Sequence, residues 1–247
     1  MEKKIWITGA SSGIGKAVAE KFAKEGWKVA ISARRKELLD EMAKNPNIFS
    51  FPLDVTQEDQ VNETFLKIIE NFNDLDICFF CSGTYNPKNE QEIDTNKIKS
   101  TMNTNFIGIV NCVKSAESFF KNKKSGQISI VSSIAGYMGL PNSTGYGPSK
   151  AALNNLAESL YFDFGRHNVR VSLVSPGFIK TPMTDKNNFK MPFIKSPEFA
   201  AQKIYNGLIK SNAFEITFPK QLTMLFKLFK ILPNRIYLFL ISKLVKR

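Results

Sequence analysis

The sequence predicts an α/β fold, a single doubly wound parallel sheet followed by a helical C-terminal extension. Three observations predict it. Short apolar runs alternate with longer amphipathic stretches, as strands joined by crossover helices do. Runs such as DICFFCSG at 76–83 are apolar almost without a break, which suits strands covered on both faces. The first run also ends in a glycine-rich turn that opens a helix. The 247 residues, 43% hydrophobic with 21 phenylalanines, can bury a large core without disulfides or a structural metal and exclude a disordered chain.

In order, strands are expected at 4–8, 28–32, 47–52, 77–81, 126–132, 169–174 and 214–218. Helices are expected to begin near Gly13, Lys36, Gln57, Thr95, Ser149 and Ser196. The last has the plainest start signal: Ser196 as N-cap, Pro197 at the first helical position and Glu198 in the first turn. No repeat, low-complexity tract or linker interrupts residues 1–219, so one domain is expected there, with 220–247 as a basic amphipathic extension.

Charge separates the two parts. The chain carries 34 basic and 22 acidic residues, a net +12. Lys220, Lys227, Lys230, Arg235, Lys243, Lys246 and Arg247 supply +7 in the last 28 residues, which hold no acid, leaving +5 for the rest. Basicity is therefore a property of the tail, and nucleic acid is not an expected partner. No stretch reaches 18 apolar residues, and the run after Met1 is too brief for a signal peptide. The three cysteines, Cys78, Cys81 and Cys112, are odd in number, so a cytoplasmic, reducing setting is expected.

At the end of the first strand stands Thr8-Gly9-Ala10-Ser11-Ser12-Gly13-Ile14-Gly15. Glycines there let backbone approach a pyrophosphate, and the helix start adds free N–H groups and partial positive charge. The spacing is GxxxGxG and not GxGxxG. After the second strand, where an acid would bind a ribose 2′-hydroxyl, come Ala33, Arg34, Arg35 and Lys36. Guanidinium groups pair with phosphate, so NADP(H) is favoured over NAD(H). Further on, Tyr146 and Lys150 are four apart and share a helix face. A neighbouring ammonium, together with a cationic nicotinamide ring, is expected to lower the phenol pKa and make Tyr146 an acid or base toward a carbonyl or alcohol.

With TGASSGIG at 8–15, Ser133 thirteen residues before Tyr146, YGPSK at 146–150, Pro176-Gly177 with Thr181, Asn105 in TNFIG and Asp54 in LDVT, the chain resembles the short-chain dehydrogenase/reductase family over residues 1 to about 219. The resemblance implies a Rossmann-like oxidoreductase working on a small-molecule carbonyl or alcohol. Ser133 would hold the substrate oxygen, Tyr146 would exchange its proton, and Lys150 would bind the nicotinamide ribose and depress the phenol pKa. Asn105 would order a water in the proton relay. Gly9, Ser11, Ser12, Gly13, Ile14, Gly15, Arg34, Arg35, Asp54, Val55, Gly83, Pro176, Gly177 and Thr181 would line the cofactor beside Tyr146 and Lys150. Family members form dimers or tetramers through their fourth and fifth helices. Where the family has Asn-Asn-Ala-Gly, this chain has Phe80-Cys81-Ser82-Gly83, so the cofactor's fine geometry is expected to differ. Two other enzyme readings stand beside an apolar-carbonyl reductase, a 3-oxoacyl or a hydroxysteroid-type activity. A nucleotide sensor without turnover is the third alternative, which the complete catalytic set argues against.

Other features carry less. Cys78 and Cys81 sit three apart in a strand and point to opposite faces, so no metal site is expected. His167 follows a helix end, where a cation suits the dipole. Phe189, Met191, Phe193 and Ile194 follow PGFIKTPM, where the family covers its substrate, and favour an apolar compound. In the tail, Lys220, Lys227 and Lys230 project to one face, and Leu222, Leu225, Phe226, Leu228, Phe229 and Leu232 to the other. Pro233-Asn234 then breaks the helix. Such a helix either lies on a membrane surface or packs over the cleft or a subunit with its lysines in solvent.

Overall fold

In the computed structural model, residues 2–87 and 92–245 are described. Lys246 and Arg247, counted above in the tail's charge, lie outside them. Seven parallel strands, β1 (Lys4–Thr8), β2 (Lys28–Ser32), β3 (Ile48–Ser50), β4 (Ile77–Phe80), β5 (Gln127–Val131), β6 (Arg170–Pro176) and β7 (Glu215–Phe218), pair in the order β3-β2-β1-β4-β5-β6-β7. Winding reverses between β1 and β4, and the crevice at the carboxyl ends of those two strands is where such a sheet holds a ligand.

Alternation along each strand divides the core into two layers. Ile5 and Ile7 of β1 face one side with Val29, Ile31 and Phe79, while Trp6 faces the other with Cys78, Phe80 and Ile128. The first layer is covered by α1 (Gly13–Lys24), α2 (Lys36–Met42) and α7 (Pro197–Lys210). The second is covered by α3 (Glu58–Phe72), α5 (Gly108–Lys123) and α6 (Tyr146–Gly165). Trp6 donates its indole N–H to Ser32 at 3.0 Å, so the largest buried side chain leaves no polar atom unpaired.

Local chemistry sets the helix ends. Ser196 accepts the Phe199 N–H at 3.2 Å and caps α7 as expected. Asp94 accepts the Asn96 and Lys97 amides and opens α4 (Thr95–Met102). That helix runs through one π turn, Asn103–Ile107, directly into α5. Two expectations are corrected. First, α6 begins at Tyr146, not near Ser149. Gly147 and Pro148 resemble loop residues, yet a proline in the first turn lacks only an N–H that would have no helical partner.

The second correction concerns the tail. Phe218–Pro219 leads into α8 (Lys220–Ile231), and α9 (Asn234–Val245) follows the break at Pro233. The apolar residues of α8 do not form one face. Leu222 and Phe229 are buried, whereas Leu225 and Leu228 point outward with Met224 and Ile231. Phe229, with Tyr237 and Ile241 of α9, packs on Met138 and Leu140, while Leu222 sits beside Gly177. No helix among the described residues is long and apolar enough to cross a membrane.

Candidate active site

The crevice at the β1/β4 reversal opens into a cavity of ≈ 400 Å³. At one end, Gly9 turns the chain at φ +69, and a β-carbon there would stand 2.8 Å from the backbone of Cys81. A β-carbon on Gly15 would stand 2.3 Å from the Gly9 carbonyl oxygen. Close backbone packing thus requires both glycines. Ser12 precedes α1 in an extended conformation, without a side-chain capping bond, and no acid occupies the first turn. The amides there are left to an anion.

The basic run after β2 separates by role. Arg35 donates to the hydroxyls of Ser11 at 2.7 Å and Ser12 at 2.8 Å, which lays its guanidinium across the glycine turn. Arg34 lines the same cavity, and Lys36 turns to Asp40 one helical turn on. Asp54, whose carboxylate accepts from the Thr56 amide at 3.0 Å and hydroxyl at 2.9 Å, follows along the cleft with Val55 and Gly83. Pro176, Gly177 and Thr181 close the opposite rim. The Thr181 methyl lies 3.0 Å from where a Gly13 β-carbon would stand, so the segment after β6 sits on the phosphate turn.

Ser133, Tyr146 and Lys150 meet at the other end of the cavity. Ser133 ends the strand segment and accepts the Ala135 amide at 3.1 Å, opening a short 3₁₀ turn, Ile134–Gly136. Lys150 is buried and donates to the Val131 carbonyl at 2.9 Å, with its nitrogen 5.7 Å from the Tyr146 ring centre. Burial pushes the Tyr146 phenol up to about 12, with the Ser133 hydroxyl working to lower it. Burial brings the Lys150 ammonium down to about 8. The expected lowering of the phenol calls on a cationic nicotinamide ring as well as on Lys150; among the protein's own groups, burial dominates. Lys150 is directed at Val131, and desolvation outweighs attraction at that range. At neutral pH the pair is a protonated phenol beside an ammonium.

Of the expected catalytic and cofactor residues Asn105 alone does not line the cavity, and Phe189, Met191, Phe193 and Ile194, expected over the substrate, do not line it either. Asn105 sits in the π turn, fully buried, donating to the Thr84 carbonyl at 2.9 Å and the Ser149 hydroxyl at 3.0 Å and accepting the Thr84 amide at 2.6 Å. Its side chain is thus a brace between α6 and the segment after β4. A water held by Asn105 would have to meet the main chain, where the π turn disturbs the helical ladder.

Several lining residues escaped the sequence reading. Thr184 accepts the Thr181 amide at 2.9 Å and donates to the Ile179 carbonyl at 2.7 Å, closing the segment after β6 on itself. Behind the lining, Tyr85 packs its ring at a 50° tilt against Tyr146 with centres 4.8 Å apart and donates to the Asn142 carbonyl at 3.1 Å. An aromatic two residues past Gly83 is a usable signal for such a wall. Cys78 and Cys81 do face opposite layers, but Cys81 also lines the cavity. Burial pushes its thiol up to about 11, so it is a neutral lining group.

A cavity with backbone amides and guanidinium groups at one end and a phenol, a hydroxyl and an ammonium at the other fits a nicotinamide dinucleotide. These features define a dinucleotide-binding oxidoreductase. A model described as short chain dehydrogenase matches residues 3–191, and the chain belongs to that family. An uncharacterized oxidoreductase of Myxococcus xanthus is 31% identical over 236 residues, 94% of this chain and 93% of that one. The 3-oxoacyl-[acyl-carrier-protein] reductase FabG of Thermotoga maritima is 32% identical over 185 residues, 73% of this chain and 75% of that one. Among solved structures, ElxO with NADP bound superposes with a TM-score of 0.77 at 29% identity, covering 88% of this chain and 98% of that one.

Proposed function

We propose that this chain is an NADP(H)-dependent carbonyl reductase acting on an apolar, lipid-like ketone or aldehyde. One observation carries the reading: Ser133, a neutral Tyr146 and Lys150 line the same cavity as Arg34 and Arg35. A reduced nicotinamide bound there supplies the hydride. The Ser133 hydroxyl orients the carbonyl oxygen, and the Tyr146 phenol gives that oxygen its proton as the C=O π bond opens, leaving an alcohol and a tyrosinate. Lys150, protonated below about 8, sets a positive charge beside the tyrosinate as it forms. Asn105 holds α6 against the segment after β4, so that Tyr146 keeps its place.

Arg34 and Arg35 favour a 2′-phosphate, and ElxO, similar over most of the chain, is a protein seen with NADP bound. Phe189, Phe193 and Ile194, exposed beyond the Pro176-Gly177 rim, favour an apolar substrate. Assembly through α5 and α6 is part of the reading, since Tyr161 and Phe162 of α6 stand exposed. A second reading, reduction of a 3-oxoacyl thioester, is supported by the likeness to the Thermotoga maritima reductase.

The test is consumption of NADPH and NADH by the purified chain across ketones and aldehydes of rising chain length, with an acetoacetyl thioester in the series. NADPH-selective turnover that rises with chain length is the expected result. Turnover of the thioester alone would move the assignment to the second reading. Tight NADPH binding with no turnover on any carbonyl would overturn both in favour of a sensor.

A further inference from the structure

The tail helices present two different faces. Inward, Phe229, Tyr237 and Ile241 are buried on Met138 and Leu140, Leu222 is buried beside Gly177, and the Tyr237 hydroxyl donates to the Gly139 carbonyl. Lys227 donates to the Glu215 carboxylate, which also accepts from Tyr137 and, at 2.7 Å, from Ser175. These contacts seat α8 and α9 on the segment that runs from Ser133 to Tyr146. Outward, the two helices leave large apolar side chains in solvent. Met224, Leu228 and Ile231, at i, i+4 and i+7 on α8, are 67%, 56% and 81% exposed, and Leu238 and Phe239 of α9 are 60% and 59% exposed.

Cations flank this surface on both helices. Lys220 and Lys230 of α8 and Arg235 and Lys243 of α9 are exposed, and no acid occurs anywhere in residues 220–247. Among the described residues the one carboxylate ion-paired with α8, Glu215, is already taken by Lys227 and lies on the inner side. We propose that the outer face of α8–α9 is a membrane-interfacial surface that docks on an anionic lipid bilayer. Apolar side chains would enter the acyl boundary while the lysine stems reach back to lipid phosphates. Charge decides against a second copy of the chain. A two-fold interface sets a patch against the same patch, and here it would bring together two surfaces whose only charges among the described residues are Lys220, Lys230, Arg235 and Lys243, with no carboxylate from residues 220–247 between them. A lipid phosphate surface supplies the missing countercharge.

The proposal rests on the tail and not on the reductase reading. Only its connection to an apolar substrate, through the Ser133–Tyr146 segment beneath the helices, depends on that reading. The experiment is co-sedimentation of the full chain with vesicles of phosphatidylcholine alone and of phosphatidylcholine mixed with phosphatidylglycerol, each at low and physiological salt. Binding to the anionic vesicles, weakened by salt, is expected. Leu228→Glu with Ile231→Glu should lower it at least tenfold, and Lys220→Gln and Lys230→Gln about fivefold each. Thermal unfolding checks that each variant is folded, and the lysine variants decide the matter should the glutamate pair not fold. An intact chain that stays in the supernatant, or folded variants that bind as well as the parent, would overturn the proposal. So would a glutamate pair that shrinks the assembly in size-exclusion chromatography while the parent ignores vesicles, because the face would then be a subunit contact.

Discussion

The two ends of the cleft are built from different materials. At the phosphate end the walls are backbone: Gly9 and Gly15 stand where a β-carbon would come within 2.8 Å and 2.3 Å of main-chain atoms. A change there has nowhere to move, so the shape belongs to the fold. At the reacting end the walls carry the side chains of Ser133, Tyr146 and Lys150, backed by Tyr85 against Tyr146 and by the segment at 137–140 pinned beneath α8 and α9. Such walls can be altered without disturbing the sheet. The part of the reaction common to many substrates is held by rigid backbone, and the part that selects one substrate by replaceable side chains.

The strongest way to break that comparison is at the reacting end. Tyr146→Phe keeps the ring against Tyr85 and removes the proton donor. Turnover should fall roughly 10²- to 10⁴-fold, with NADPH affinity, read by fluorescence titration, nearly unchanged. Equal losses in both would mean that Tyr146 shapes the cavity and does not donate. At the phosphate end, Arg34→Glu with Arg35→Glu should weaken NADPH roughly 10- to 100-fold, the value of one charge-assisted phosphate contact. NADH should change much less, and the ratio of the two Kd values is the measurement. An equal loss for both cofactors would show that Arg35 acts only by bracing Ser11 and Ser12.

Lys150 tests whether the site is maintained against its own stability. Its ordinary pKa of 10.5 falls to about 8 in the folded protein, so the folded state resists a charge that the unfolded state carries freely. The destabilisation is complete below pH 8 and fades between 8 and 10.5. Lys150→Met should therefore abolish turnover yet raise stability at neutral pH by about 1–3 kcal/mol. The lost bond to the Val131 carbonyl trims that gain. Denaturant midpoints at pH 7 and pH 10 check it, the gain being smaller at pH 10.

What could be read in the sequence follows the same division. The strands, the glycine turn and the residues of the cleft were legible because each rests on a local rule, namely apolar runs, glycine at a close approach, and residues four apart on a helix. The start of α6 was not, since Gly145 contributes no side-chain cap and Gly147 with Pro148 imitates a loop. The π turn that buries Asn105 has no pattern of its own in TNFIG. The burial that lifts Tyr146 and lowers Lys150 is a tertiary property, and no spacing of residues encodes it. In α8 the projection of lysines and apolar residues to different faces marked a helix correctly. It could not say that the apolar residues serve two faces, because the inner one exists only where Met138 and Leu140 arrive from the segment after Ser133.

The smallest expected effect lies behind the reacting end, where α8 meets the segment after Ser133. Glu215 at the start of β7 accepts from Tyr137, Ser175 and Lys227 at once. Burial works to raise its carboxyl, but the hydrogen bonds from Lys227, Tyr137 and Ser175 win and hold it below its ordinary 4.5. A depressed carboxyl contributes stability above the unfolded value and loses it as pH falls through the folded one. Removing the charge with Glu215→Gln should therefore cost about 1 kcal/mol at pH 7, since Lys227 is half exposed and solvent screens the pair. The difference from the parent should shrink as pH drops below 4.5. Thermal melts at pH 7 and pH 4 measure it. A Glu215→Gln difference that stayed constant between the two would mean that neutral hydrogen bonds, and not the carboxylate charge, hold α8 on the segment below Tyr146.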